Sequence, residues 1–276
     1  MEAGGQSARQ AAVGLLTGVL EEHQSLADLL RAPKFDAMEP SEKARAQRLA
    51  LAVLRQLSNA DAMLKPHLRR RPPERIRAIL RLAVVEMCAM GAAPHGVVHS
   101  AVGLVRAGGR KAESFTGLVN AVLRRVAEEP EEKWAKLPVQ PLPGWLRGRL
   151  MSAWGKAAVM RMEAAHAAGA PTDLTPKSGD TAALAEATGG TALETGSVRL
   201  GPGVTVSALP GYQQGAFWVQ DAAAALPARV LNAQPGEAVL DLCAAPGGKT
   251  LQLSATGAKV TAVDLSGPRM ERLSEN

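Results

Sequence analysis

The strongest constraint on the fold is a turn of small residues set between two apolar runs. Ala238 to Leu242 reads as a strand that passes directly into Cys243, Ala244, Ala245, Pro246, Gly247, Gly248 and Lys249. A helix is expected over 248–255, a second strand over Lys259–Val263 and a further helix over 268–275. Both strands are largely apolar throughout, as buried parallel strands are. Phe217–Val219, leading into a helix at 221–231, reads as an earlier strand–helix pair of the same region. The order strand, helix, strand, helix, strand, helix predicts a Rossmann-type α/β arrangement from residue 211 onward.

The turn also carries chemistry. Gly247 and Gly248 permit backbone conformations and close ligand approach that a Cβ would hinder. The helix that follows presents free N–H groups and its positive dipole end to the same place. Asp264 ends the second strand, 17 residues after Gly247. A carboxylate there is placed to accept the hydroxyls of a ribose. Together these features point to a nucleoside-containing cofactor. The Gly-Gly-Lys-Thr ending is shared with phosphate-binding P-loops, but that motif needs glycine where this chain has Cys243. A dinucleotide fold asks for G-x-G-x-x-G, which A-A-P-G-G-K does not supply. S-adenosylmethionine (SAM) has no phosphate, so a tighter, proline-stiffened turn suits it. An ordinary α/β junction with helix-capping glycines stays open beside these readings.

The first half is different. Ala12, Leu15, Leu16, Val19 and Leu20 recur at helical spacing, as do Leu49, Val53, Leu54 and Leu57, and Ile76, Ile79, Leu80, Ala83, Val84 and Met87. Pro72 and Pro73 mark a helix start, and Gly91 and Pro94 its end. Helices at about 97–107 and 113–127 follow. Residues 1–128 therefore read as a helical bundle. The stretch 129–142, rich in proline and acidic residues, reads as a linker. Residues 143–210 read as two helical segments, near 143–154 and 156–168, and then a small α+β unit with β-prone pieces at Val198–Leu200 and Val204–Val206 and a helix at 179–187 opened by Ser178. The fold class is thus α followed by α/β.

Hydrophobic residues make up 46% of the chain, which suffices for a sizeable core, but aromatic residues only 3%, so that core is built from Ala, Leu and Val. The net charge of +6 suits a polyanionic partner. Two cysteines make no disulfide framework, and no Cys/His spacing suggests a metal site. With no signal peptide or bilayer-length apolar run in the sequence, no membrane association is expected, and the expected setting is cytoplasmic.

DLCAAPGGKT at 241–250, followed by VDLS ending in Ser266, resembles the Fmu/Sun (RsmB) family of 16S rRNA (cytosine-5) methyltransferases. The segment GYQQGAFWVQDAAAAL resembles that family's approach to its pocket. PHGVVHSAVGLVRAGG, with FTGLVNAVLRRV at 115–126, resembles the NusB-like RNA-binding domain fused to those enzymes. The resemblance implies methyl transfer from SAM to cytosine C5 in ribosomal RNA. Cys243 to Lys249 would line the cofactor, Asp264 would hold its ribose and Asp221 would border the pocket. It also implies a cysteine thiolate that adds to C6 of the base, making C5 nucleophilic. No cysteine follows Cys243 before Asn276. The nucleophile is therefore expected beyond Asn276, residues 1–276 contain no assigned catalytic residue, and the chain alone is expected to be inactive. A NusB-like RNA-binding module with a vestigial SAM turn is the alternative. The family's Leu-Arg-x-Asn strand corresponds to Asp173–Lys177, where the arginine is missing.

Cys243, in the turn, and Cys88, in an apolar helix, both read as packing residues. Basic residues gather at Lys65–Arg71 with Arg75 and Arg77, at Arg106, Arg110 and Lys111, and at Arg124, Arg125, Arg147 and Arg149. As a set they suit RNA phosphates, while singly each reads as a solvated helix face. Pro94 and Gly96 argue against His95 and His99 sharing a helix face. Trp134, Trp145 and Trp154 are expected to anchor the linker helices.

Overall fold

One helix organises the first half. In chain order this half carries α1 (Glu2–Leu20), α2 (Leu26–Leu29), α3 (Pro33–Asp36), α4 (Pro40–Arg55), α5 (Leu57–Leu64), α6 (Glu74–Cys88), α7 (Pro94–Arg106), α8 (Arg110–Glu113), α9 (Thr116–Ala127), α10 (Glu131–Ala135) and α11 (Gly144–Ala168). The structure, a computed structural model, describes residues 2–129 and 131–276. Helix α6 is buried at every position from Ile76 to Glu86 except Arg77. A helix buried on all sides belongs at the centre of a bundle, and α1, α4, α5, α7 and α9 pack around it. Val13, Leu16, Leu49, Val53, Met63, Leu104 and Leu123 complete a single continuous core.

The two buried charges of α6 are matched. Arg81 Nε and Nη2 donate to the two carboxylate oxygens of Asp61, each at 2.7 Å, and Nη1 donates to Glu74. Glu86 accepts from Arg9 Nε at 2.9 and 3.1 Å and from Nη2 at 2.8 Å. Desolvated charges need such partners to remain ionised.

The chain divides into two compact units, up to Gly169 and from Ala170. That division differs from the boundaries drawn on sequence, which grouped 143–210 together. Residues 129–142 also do more than link. They include α10, Trp134 and Leu137 pack on the helical core, and the Gln140 side chain accepts from Ser58 N at 2.8 Å and donates to Leu54 O at 3.0 Å. Helix α11 is broken at Gly155 (φ 77°, ψ 161°), between the two segments read from sequence. Glu163 bridges the break: it accepts from Arg147 Nε at 2.7 Å and from Leu142 N at 2.9 Å. Trp145 and Trp154 are 72% and 67% exposed, so of the three tryptophans only Trp134 anchors as expected.

The second unit holds β1 (Asp173–Pro176), α12 (Thr181–Thr188), β2 (Thr191–Ala192), β3 (Val198–Arg199), β4 (Phe217–Val219), α13 (Ala222–Leu231), β5 (Ala238–Asp241), α14 (Gly248–Ala255), β6 (Lys259–Ala262) and α15 (Gly267–Glu275). Strands β2, β3, β1 and β4 form an antiparallel sheet in that order, with Leu174 opposite both Val198 and Val219. Strands β5 and β6 pair in parallel, Ala238 with Lys259 through Asp241 with Ala262. This corrects one expectation. Phe217–Val219 is a strand, but it pairs with β1 rather than opening the parallel sheet. It is three residues long, too short for its sequence to declare a partner. Val204–Val206 is not a strand; a 3-10 turn occupies Val206–Ala208. The helix read at 179–187 starts at Thr181 and is capped by Asp180, whose side chain accepts from Ala183 N at 2.9 Å.

Candidate cofactor site

The turn after β5 is held from below by Asp241. Its buried carboxylate accepts from Thr250 Oγ1 at 2.7 Å and from Cys243 N at 3.3 Å, joining the end of β5 to the first turn of α14. Backbone bonds stitch the turn to its neighbour: Val263 N donates to Asp241 O at 2.8 Å, and Ala244 N to Val263 O at 3.1 Å. Gly247 N closes onto Ala244 O at 2.8 Å. Gly247 has φ 113°, a conformation that side chains oppose. A Cβ there would also stand 3.2 Å from Leu273. Helix α14 begins at Gly248 with no side chain capping its N–H groups. An acceptor such as a carboxylate suits that end.

Asp264 sits where the second strand ends, as the sequence suggested, and faces the turn. One oxygen accepts from Ala245 N and the other from Ser266 N, each at 3.0 Å. The Ser266 N–H, with the Ala245 N–H and the Arg269 guanidinium 3.8 Å away, holds the Asp264 carboxyl below the usual carboxylate range. The eight residues singled out on sequence therefore come together. Ala244, Ala245 and Gly247 are buried, Gly248 and Lys249 half-buried, and Cys243 and Pro246 exposed.

Three side chains of α15 and its end also meet the turn. Arg269 donates to Ala245 O, Asn276 Nδ2 donates to Pro246 O at 2.9 Å, and Leu273 lies against Gly247. Sequence reasoning did not reach them, because nothing in a helix of mixed charge marks which side chain turns toward a loop.

Gln220 is another residue the sequence did not reveal. It is buried, and its Oε1 accepts from Thr175 Oγ1 at 3.0 Å and Trp218 Nε1 at 2.8 Å. Its Nε2 donates to Gln252 Oε1 at 3.2 Å, and its side chain lies 3.4 Å from where a Gly248 Cβ would be. One amide thus ties the antiparallel sheet to α14. Asp221, expected at the pocket border, caps α13 by accepting from Ala223 N and Ala224 N at 2.9 and 3.2 Å.

The cysteines differ from expectation in one case. Cys243 is exposed and fills no core. Cys88 is half-buried against the helical core, and burial pushes its thiol up.

In the helical unit, part of the basic run is engaged internally: Arg77 pairs with Glu74 and Asp61, and Arg71 with Glu74. His95 and His99 do share a face of α7, because Pro94 is the first residue of that helix rather than a stop beyond α6. Among the described residues no group of His, Cys, Asp and Glu is arranged to hold a metal, and no helix is long and apolar enough to cross a membrane.

Residues 6–128 match the NusB family, and residues 228–276 match the 16S rRNA methyltransferase RsmB/F family. The chain is thus similar to the RsmB/F family, with a NusB-family match in front. Ribosomal RNA small subunit methyltransferase B of Xanthomonas campestris is 33% identical over 98% of this chain and 64% of its own length. The protein of the same name from Cronobacter sakazakii is 33% identical over 97% of the chain and 66% of its own length. The chain thus spans slightly less than two thirds of these RsmB relatives. The crystal structure of PH0851 shares the fold, with a TM-score of 0.64 and 19% identity over 98% of this chain and 66% of that one.

Proposed function

We propose that Cys243–Lys249 and Asp264 bind SAM, that the helical unit holds 16S rRNA, and that the protein serves cytosine-5 methylation of that RNA in the cytoplasm. The supporting observation is the bond from Ala245 N to Asp264 at 3.0 Å, which brings the glycine turn and the acid together at the C-terminal ends of adjacent parallel strands. The residues fit the cofactor. A carboxylate oxygen has two lone pairs, so Asp264 can accept ribose hydroxyls beside its backbone donors. The free N–H groups at the start of α14 suit the methionine carboxylate. Buried Thr250 gives its hydroxyl to Asp241, which argues against a P-loop, where that hydroxyl serves a metal ion. When bound, SAM supplies the electrophilic methyl group. Attack on C6 is assigned to neither cysteine, since Cys88 lines the helical core and Cys243 belongs to the turn itself.

A second reading has its own support. Arg269 and Asn276 already satisfy the Ala245 and Pro246 carbonyls, as a turn that no longer takes a ligand would be satisfied. On that reading the chain is an RNA-binding module with a vestigial turn. Calorimetry with SAM and with ATP separates the cases. Saturable SAM binding that is lost in Gly247→Val and Asp264→Ala, with no response to ATP, is the expected result. RNA binding without any SAM heat favours the vestigial turn, and tight ATP binding overturns the SAM site.

A further inference from the structure

Basic residues that lie far apart in the sequence converge on one groove of the helical unit. The groove runs between α7 and α9 and has a volume of about 570 Å³, within the usual range of ligand-binding clefts. Helix α7 contributes His95, His99 and Arg106, and α9 contributes Thr116, Asn120 and Arg124. On α9 these three are four residues apart, so they form one row along the helix, with about 6 Å between successive positions. Val98 and Val102 line the groove between the rows. Glu128 is the single carboxylate among the lining residues, at the end of α9.

The groove is also chemically unsatisfied. His95, His99, Arg106, Asn120 and Arg124 make no side-chain hydrogen bond or ion pair among the described residues. That contrasts with the arginines of α6, where Arg77 and Arg81 are held by Asp61 and Glu74. Unpaired arginines on two rigid, adjacent helices form a positive channel at little ordering cost on binding. Adjacent helix axes lie about 8–10 Å apart, so the channel between them is narrow.

We infer that this groove binds a single-stranded segment of RNA, with Arg106 and Arg124 on phosphates, Asn120 on a sugar or base edge, and the valines against a sugar or base face. The inference rests on the proposed rRNA function and deepens it by naming the surface. Two rows of donors flanking an apolar floor match a strand that offers phosphates along its edges and apolar faces between them. A duplex is too broad to enter between neighbouring helices and would reach only the rims.

The test uses the full chain and a short fluorescein-labelled single-stranded RNA of mixed sequence, followed by anisotropy over a salt series. A groove variant carries Arg106→Ala, Asn120→Ala and Arg124→Ala. A control variant carries Lys34→Ala and Arg48→Ala, which are exposed and lie outside both the groove and the basic clusters named from the sequence. The groove variant is expected to bind at least about tenfold more weakly and to lower the salt slope by about 1.4, roughly 0.7 for each lost phosphate contact on a single strand. The control is expected to change far less. An unchanged helical melting curve shows that the fold is intact, and Arg124→Lys restores part of the affinity by returning the charge. If the groove and control variants bind like wild type, the groove is overturned while the rRNA reading stands. If wild type binds no RNA, both fall. Tighter binding of an RNA duplex than of the single strand overturns the single-strand assignment.

Discussion

The two units bury apolar surface in different ways. The helical unit gathers its Leu, Val and Ile residues into one continuous core around α6. The second unit has two small clusters instead, one of Leu174, Leu184, Val198, Leu200 and Phe217 and one of Ala228, Ala233 and Leu253. Its parallel strands are apolar but not covered: Leu240 is 57%, Leu242 66% and Val263 46% exposed. What the second unit lacks in apolar contact it replaces with buried polar ties. Asp173 grips Arg199 and the Ala222 N–H, Asp241 grips Thr250, and Gln220 joins β1 and β4 to α14. The lesson is that the glycine turn is held to its sheet by directional bonds, which fix geometry better than nondirectional packing does.

The sharpest way to break this contrast is a pair of leucine truncations. Leu80 is fully buried in α6, and Leu80→Ala is expected to cost about 2–5 kcal/mol. Leu240→Ala, on the exposed strand, is expected to change stability by no more than about 0.5 kcal/mol. Urea denaturation with peptide-resolved hydrogen exchange assigns each loss to its unit. A large cost at Leu240 would mean that the β5–β6 face is covered in solution, and the contrast would then be one of partners rather than of construction.

The polar ties give a smaller but more specific effect. Asp173 is fully buried on β1, and its two oxygens accept from Arg199 Nε and Nη2 at 2.8 and 2.9 Å. Arg199 beside it, helped by the Ala222 N–H, holds the Asp173 carboxyl below the usual carboxylate range against the opposing effect of burial. Asp173→Ala is expected to cost about 2–3 kcal/mol, less than the loss of a fully buried pair, because Arg199 is half-exposed and can return to water. A depressed carboxyl contributes stability that is complete above its unfolded value, near pH 4, and is lost as pH falls through its lower folded value. The difference between wild type and Asp173→Ala should therefore be full near neutral pH and shrink as pH drops below about 4. A difference that does not change with pH would assign the cost to packing alone.

Much of the second unit was legible because its elements are punctuated. The turn residues fix where β5 stops and α14 starts, and the helix expected at 248–255 is observed over those residues. In the first unit, Gly155 likewise marks the break in α11. What escaped was partner choice. Nothing within Phe217–Val219 states that it pairs with Leu174 and Thr175, more than forty residues earlier in the chain. Asp221 was read as a pocket residue, whereas a short acid before an alanine run is also an N-cap, and the cap is what forms. Cys243 and the tryptophans at 145 and 154 were given buried roles on residue type alone, and exposure depends on neighbours that type does not encode. Of the candidate site, the turn and Asp264 were readable as a motif, while Gln220, Arg269 and Asn276 act through tertiary contact.

A modest effect on stability is expected to carry the largest effect on the proposed site. Thr250→Val keeps the shape of the side chain and removes one hydrogen bond, the 2.7 Å link to Asp241. Loss of a bond to a carboxylate is worth about 1.5 kcal/mol, so the melting transition should fall by several degrees. The consequence for SAM should be greater than that, because the same bond sets the first turn of α14 relative to the end of β5, and the free N–H groups at Gly248 and Lys249 move with it. SAM affinity measured by calorimetry should fall by more than the stability change alone accounts for, and Thr250→Ser, which keeps the hydroxyl, should recover it. If Thr250→Val binds SAM as wild type does, the Asp241–Thr250 tie serves only to close the helix. The directional bonds of this unit would then be a substitute for packing and not a device for shaping the turn.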